Sequence, residues 1–139
     1  MSWLAWSLLS AVFAALTAIL AKIGIAGVEA NLATAVRTTV VVIFTWALAM
    51  ATGTSGRFHA FTPKTWLFLT LSGIATGASW LCYFHALQVG QASRVAPIDK
   101  LSVVFVIVAA TLFLGERLTW AKAIGALLIA AGAIAIALD

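Results

Sequence analysis

The chain has 139 residues, 64% of them hydrophobic and 9% charged, with a mean hydropathy of +1.14. A soluble domain carries about 25% charged residues, and a globule of this length has too little interior to hide so much apolar surface, so a water-soluble fold is excluded and lipid becomes the solvent. The net charge of +4 comes from singly scattered basic residues, which excludes a nucleic-acid-binding stripe, and the lone Cys82 excludes an intrachain disulfide and offers no metal-ligand spacing.

Five apolar segments follow one another, at about residues 3–21, 32–52, 66–87, 96–114 and 120–138. Each has the roughly 20 residues that a helix needs to cross a hydrocarbon core of about 30 Å. Backbone in that core must satisfy its own hydrogen bonds, so each segment is expected to be a helix; barrel strands would be shorter and would alternate. The expected fold class is all-α, an integral membrane protein with five transmembrane helices in one domain over residues 1–139.

The first segment begins Met1-Ser2-Trp3 without a basic start and continues to Ala21 without a clear cleavage site. It is expected to be a retained span that also directs insertion. Ser7, Ser10, Ala14, Thr17 and Ala21 share one small, hydroxylated face of it. In the second segment Asn31 is the expected cap, Thr34, Thr38 and Thr45 carry hydroxyls, and Arg37 lies about one and a half turns inside. A charge in hydrocarbon costs about 2.5–3.5 kcal/mol and normally faces protein or water, unless it snorkels to the headgroups.

The 53–65 loop is too short for a separate domain, and its Thr62-Pro63 pair reads as a cap followed by proline at the first helical position. The third segment has two stripes. Ser72, Thr76, Ser79 and Tyr83 share one face, and Gly73, Gly77, Trp80 and Phe84 the adjoining one. Either both stripes are packing surfaces, with hydroxyls bonded back to their own helix, or Ser79, Trp80 and Tyr83 line a polar cavity with an aromatic wall. Gly73 and Gly77 allow close helix approach. His85 reads as an ordinary polar contact near a helix end.

Asp99 and Lys100 open the fourth segment, and a pairing of Arg37 with Asp99 is expected. Gly115-Glu116-Arg117-Leu118-Thr119 then forms the turn of a final hairpin, either a solvated turn or part of a gate at Glu116 and Arg117. The fifth segment has no charged or hydroxyl side chain from Ala123 to Leu138. Its Gly125 and Gly132 mark it as an oligomerisation element that does not line a path.

Basic residues set membrane orientation. The N-terminal side carries Arg57, Lys64, Arg117 and Lys122; the other carries Lys22 and Arg94 and, deeper, Arg37 and Lys100. This weak bias permits insertion in both directions, and with an odd helix count two copies can then pair antiparallel, as in inverted-repeat transporters. No Gly-x-Ser-x-Gly, His-Glu-x-x-His or phosphate loop occurs, so neither an enzyme nor a cofactor is expected.

The stretch Ala86-Leu87-Gln88-Val89-Gly90-Gln91-Ala92-Ser93-Arg94, the Leu114-Gly115-Glu116-Arg117-Leu118 turn and the Gly125-Ala126-Leu127-Leu128-Ile129-Ala130-Ala131-Gly132 helix resemble the EamA family of the drug/metabolite transporter superfamily. Lys22 at the end of the first helix fits as well. The resemblance covers the chain as one repeat. Typical members join two such repeats into ten helices related by inversion and move small metabolites or amino acids, so the resemblance implies a dimer. Many relatives have a proline deep in the fourth helix where this chain has Val103; Pro97 lies nearer the start, and the resemblance carries no kink-based gate onto this helix.

The expected function is a secondary membrane transporter, an exporter of small metabolites or amino-acid-like solutes. It would work by alternating access in the cell (inner) membrane, as a homodimer, antiparallel or not, or with a paralogous partner. The expected path residues are Arg37, Ser79, Trp80, Tyr83, Asp99 and Lys100. Arg37 and Lys100 would attract an anionic group, and Asp99 would exchange a proton or bind an amine. The alternatives are a non-transporting membrane assembly subunit and half of a lipid-carrier flippase.

Overall fold

A computed structural model describes residues 2–139, with Phe58 by its backbone alone. The described residues form helices and no strands: α1 (Trp3–Gly24), α2 (Ala30–Ala51), the short 3-10 helix η1 (Ser55–Ala60), α3 (Pro63–Val89), α4 (Ala92–Asp99), α5 (Ser102–Phe113) and α6 (Trp120–Leu138). Taking α4 and α5 as one stretch, five are long and apolar enough to cross a membrane.

Local chemistry sets the ends. Thr62 accepts a hydrogen bond from the Thr65 amide at 3.2 Å, and Pro63 opens α3 as the Thr62-Pro63 pair predicts, because its missing N–H costs nothing there. Thr119 caps α6 by accepting from the Lys122 amide at 3.3 Å. The start of α2 differs from expectation. Glu29, not Asn31, is the cap, and its carboxylate accepts from the Leu32 amide at 2.9 Å. Gly53 and Gly115 have φ of 67° and 68°, the left-handed conformation that ends a helix where only glycine is unstrained.

The fourth span is not one continuous helix. Lys100 and Leu101 interrupt it, and the amides of Lys100, Leu101, Val103 and Val104 all bond three residues back, at 2.9–3.1 Å. Pro97 removes one four-back bond just upstream, and the chain responds by tightening. A break therefore exists without a proline at position 103.

The chain divides into two compact units, one comprising α1 to Lys22 with Val89–Asp139, the other Ile23–Gln88. In the first, α6 packs along α4 and α5 through alanines at +3/+4 spacing: Ala126 and Ala133 are buried, and Ala123, Ala130 and Ala137 half-buried. Methyl-sized side chains let the backbones approach and gain dispersion, the main attraction between helices in lipid. Lys22 donates to the Gly90 carbonyl at 2.8 Å in the same unit. In the second unit, η1 packs on α2, and side chains join α2 to α3. Bulky apolar residues such as Phe105, Phe113 and Leu128, 74%, 85% and 68% exposed, point outward, where lipid receives them at no hydrophobic cost.

Candidate functional site

The most unusual side chain in the second unit is Arg37. Seven residues into α2, it stands roughly 10 Å inside the span. Its guanidinium carbon lies 4.2 Å from the centre of the Trp80 ring and 5.5 Å from that of Phe84. Trp80 and Phe84 are four apart on α3 and so present both rings on one face. Phe84 is 3% exposed and anchors the platform, while Arg37, Trp80 and Tyr83 are half-buried. Tyr83 follows Trp80 by three residues on α3.

Cation–π contact of this kind contributes about 0.5–2 kcal/mol, but it occupies only the face of the guanidinium. The N–H edges remain. Arg37 has no ion pair or hydrogen bond among the described residues, and no buried side-chain nitrogen there lacks a partner, so those edges face accessible space. A planar fork of donors on an aromatic platform fits a carboxylate or a phosphate.

Above this cluster two hydrogen bonds tie the start of α2 to the end of α3. His85 Nε2 lies 3.3 Å from Asn31 Oδ1, and the Gln88 amide donates to the Val28 carbonyl at 2.6 Å. His85 is thus the polar contact expected of it. Beside them, backbone N–H groups of Asn31 and Leu32, and then the charge of His85, hold the Glu29 carboxyl below its ordinary value of 4.5. A depressed carboxylate stabilises the fold fully above that ordinary value and loses its contribution as pH falls through the lower folded value. The melting temperature of the wild type is therefore expected to fall on acidification below pH 4.5, by more than in Glu29→Gln; parallel pH–melting curves for the two proteins would contradict the capping role.

The hydroxyl stripes are largely committed to their own helices. Thr34, Thr38, Thr45 and Thr76 donate to the carbonyls four residues back at 2.7–2.9 Å. In the third helix Thr76 makes that bond, while Ser72, Thr76 and Ser79 are all exposed. A Cβ at Gly73 or Gly77 would meet nothing within 4 Å, so the chain itself does not use the close approach that this pair allows.

In the first unit, Asp99 and Lys100 lie at the break between α4 and α5 and pair with each other at 3.1 Å, their side chains 37% and 57% exposed. Glu116 takes Lys122 at 3.1 Å and Arg117 is exposed, as in a solvated turn. Gly125 is half-buried and Gly132 exposed, and a Cβ at either would meet nothing within 4 Å.

The structure thus brings Arg37 and Trp80 together from the expected set and adds Phe84, with Tyr83 one turn on from Trp80. Phe84 was legible only as a neighbour of Trp80 on one face of α3.

Residues 1–138 match the EamA-like transporter family. The chain belongs to that family. A Sinorhizobium sp protein named "Uncharacterized transporter in cobO 3'region" is 52% identical over 136 residues, which is 98% of this chain and 96% of that one. No solved structure matches the chain. Its five apolar spans and its family make this EamA protein a multi-pass membrane protein.

Proposed function

We propose that this EamA protein is a secondary transporter that exports small metabolites or amino-acid-like solutes across the bacterial inner membrane by alternating access, and that two five-helix copies make one transport unit. The observation that carries the reading is Arg37, a membrane-embedded cation with an aromatic platform and no counter-ion among the described residues. An intramembrane charge is costly, and a carboxylate-bearing solute is the partner whose arrival would offset that cost. Trp80 and Tyr83 would flank the solute. Asp99 and Lys100, paired at the break in the fourth span, would exchange a proton or receive the solute's charged groups in turn.

The dimer reading is supported by the weak bias of basic residues and by a relative of nearly equal length that is named a transporter. Two copies inserted in opposite directions would reproduce an inverted-repeat transporter of ten helices. The test uses single cysteines in a Cys82→Ala background, one beside Asp139 and one in the 53–65 loop, with impermeant labelling of intact cells. Each site is expected to label in about half of the molecules if insertion is dual. A single orientation would exclude the antiparallel homodimer. Absence of solute flux in vesicles holding the purified protein would leave an assembly subunit.

A further inference from the structure

The other end of α2 carries a feature that the Arg37 cluster does not use. Trp46 and Ala49, Phe61 after η1, and Thr54, Ser55 and Arg57 line a pocket of about 380 Å³. That volume lies within the about 300–1,000 Å³ usual for small-molecule sites. The walls divide by chemistry. Trp46 and Phe61, 43% and 38% exposed, form an apolar side, and Phe61 meets Trp66 edge-on with ring centroids 5.5 Å apart. On the polar side, the Thr54 hydroxyl is spent on the Ala49 carbonyl at 3.2 Å. The Arg57 side chain has no hydrogen bond, ion pair or ring contact among the described residues.

The surroundings leave this cation uncompensated. From Gly53 to Thr65 the chain carries Arg57, His59 and Lys64 and no carboxylate. The pocket lies where a spanning helix ends, with Trp46 near the end of α2 and Trp66 near the start of α3, the level at which indole rings meet lipid headgroups. An occupant must offer an anion to Arg57 and an apolar chain to Trp46 and Phe61. A second copy of this chain is less well equipped for that role: of its four acidic side chains, Asp99 and Glu116 are paired with lysines and Glu29 caps α2, which leaves Asp139 at the end of α6. Anionic phospholipid meets both demands and is drawn to uncompensated basic segments beside a span.

We infer that this pocket binds an anionic phospholipid, with its phosphodiester on Arg57 and its first acyl carbons against Trp46 and Phe61. The test reads tryptophan quenching of the full chain in nanodiscs that contain brominated phosphatidylglycerol or, at the same mole fraction, brominated phosphatidylcholine. Subtracting Trp46→Phe isolates the Trp46 signal from that of the other tryptophans. Brominated phosphatidylglycerol is expected to quench Trp46 about twofold more than phosphatidylcholine, Arg57→Gln to abolish the difference, and Arg57→Lys to keep part of it. Equal quenching by the two lipids in the wild type would overturn the inference. Quenching by neither would also overturn it, because protein would then cover the pocket.

Discussion

Arg37→Gln is expected to raise the KM for an exported carboxylate by about 10- to 100-fold, the equivalent of the about 1.5–3 kcal/mol carried by hydrogen bonds to a charged group. The same substitution is expected to leave the melting temperature unchanged or higher. Arg37 has no ion pair among the described residues to lose, and the about 0.5–2 kcal/mol of cation–π contact it gives up is smaller than the about 2.5–3.5 kcal/mol insertion cost that removing the charge relieves. This opposition of signs separates a binding residue from a structural one, since a merely structural residue loses stability and activity together. Arg37→Lys keeps the charge but not the planar fork, and should recover only part of the affinity. Phe84→Ala provides the contrast. It removes a buried ring under the guanidinium, so about 3–5 kcal/mol of stability should go with it. The assay is flux of a panel of labelled amino acids and small carboxylates in proteoliposomes, with thermal unfolding of each variant in detergent. Unaltered flux and KM in Arg37→Gln would remove Arg37 from the transport path.

A second large effect is expected on α6, where two faces carry different duties. Ala126 and Ala133 are buried within the chain, against the α4–α5 side, whereas Gly125 and Gly132 open onto space. Leucine at an alanine of the buried face overfills a close helix contact, so Ala126→Leu and Ala133→Leu should each cost about 1–3 kcal/mol of stability. A Cβ at Gly125 or Gly132 meets nothing within 4 Å among the described residues, so the folded monomer should tolerate Gly125→Leu and Gly132→Leu better than leucine at the alanines. If the glycine line is where two copies meet, those variants should convert dimer to monomer, read by light scattering during size-exclusion chromatography. A dimer that persists in both glycine variants moves the interface to another helix. Neutral alanine variants would mean that α6 does not rest on α4 and α5.

The spans were legible because they follow from composition and length, and most helix ends because capping is local: Thr62 with Pro63, Thr119, and the glycines at 53 and 115 behave as their types predict. The start of α2 was misplaced because glutamate is outside the usual set of capping residues, and Glu29 takes the role that Asn31 was expected to fill. Asn31 instead turns to His85 on α3, a contact that no local rule foretells. Pro97 was visible in the sequence, but not where its strain would be released. The chain relaxes three residues later, at Lys100 and Leu101, by changing hydrogen-bond register.

By itself the sequence determined the solvent, the number of spans and the family, because each residue's preference for lipid, and each cap's preference for its own helix end, acts without reference to any distant residue. It also singled out Arg37, because a charge in hydrocarbon stands out wherever it falls. Only the tertiary structure decided what that charge faces. In lipid, every side of a helix is apolar enough to be solvated, so hydrophobicity does not say which face turns inward. That choice rests on shape and on a few polar contacts between helices far apart in sequence. Here Trp80 and Phe84 receive the guanidinium, the bonds Asn31–His85 and Val28–Gln88 tie α2 to α3, and an alanine face seats α6 while its glycines stay open.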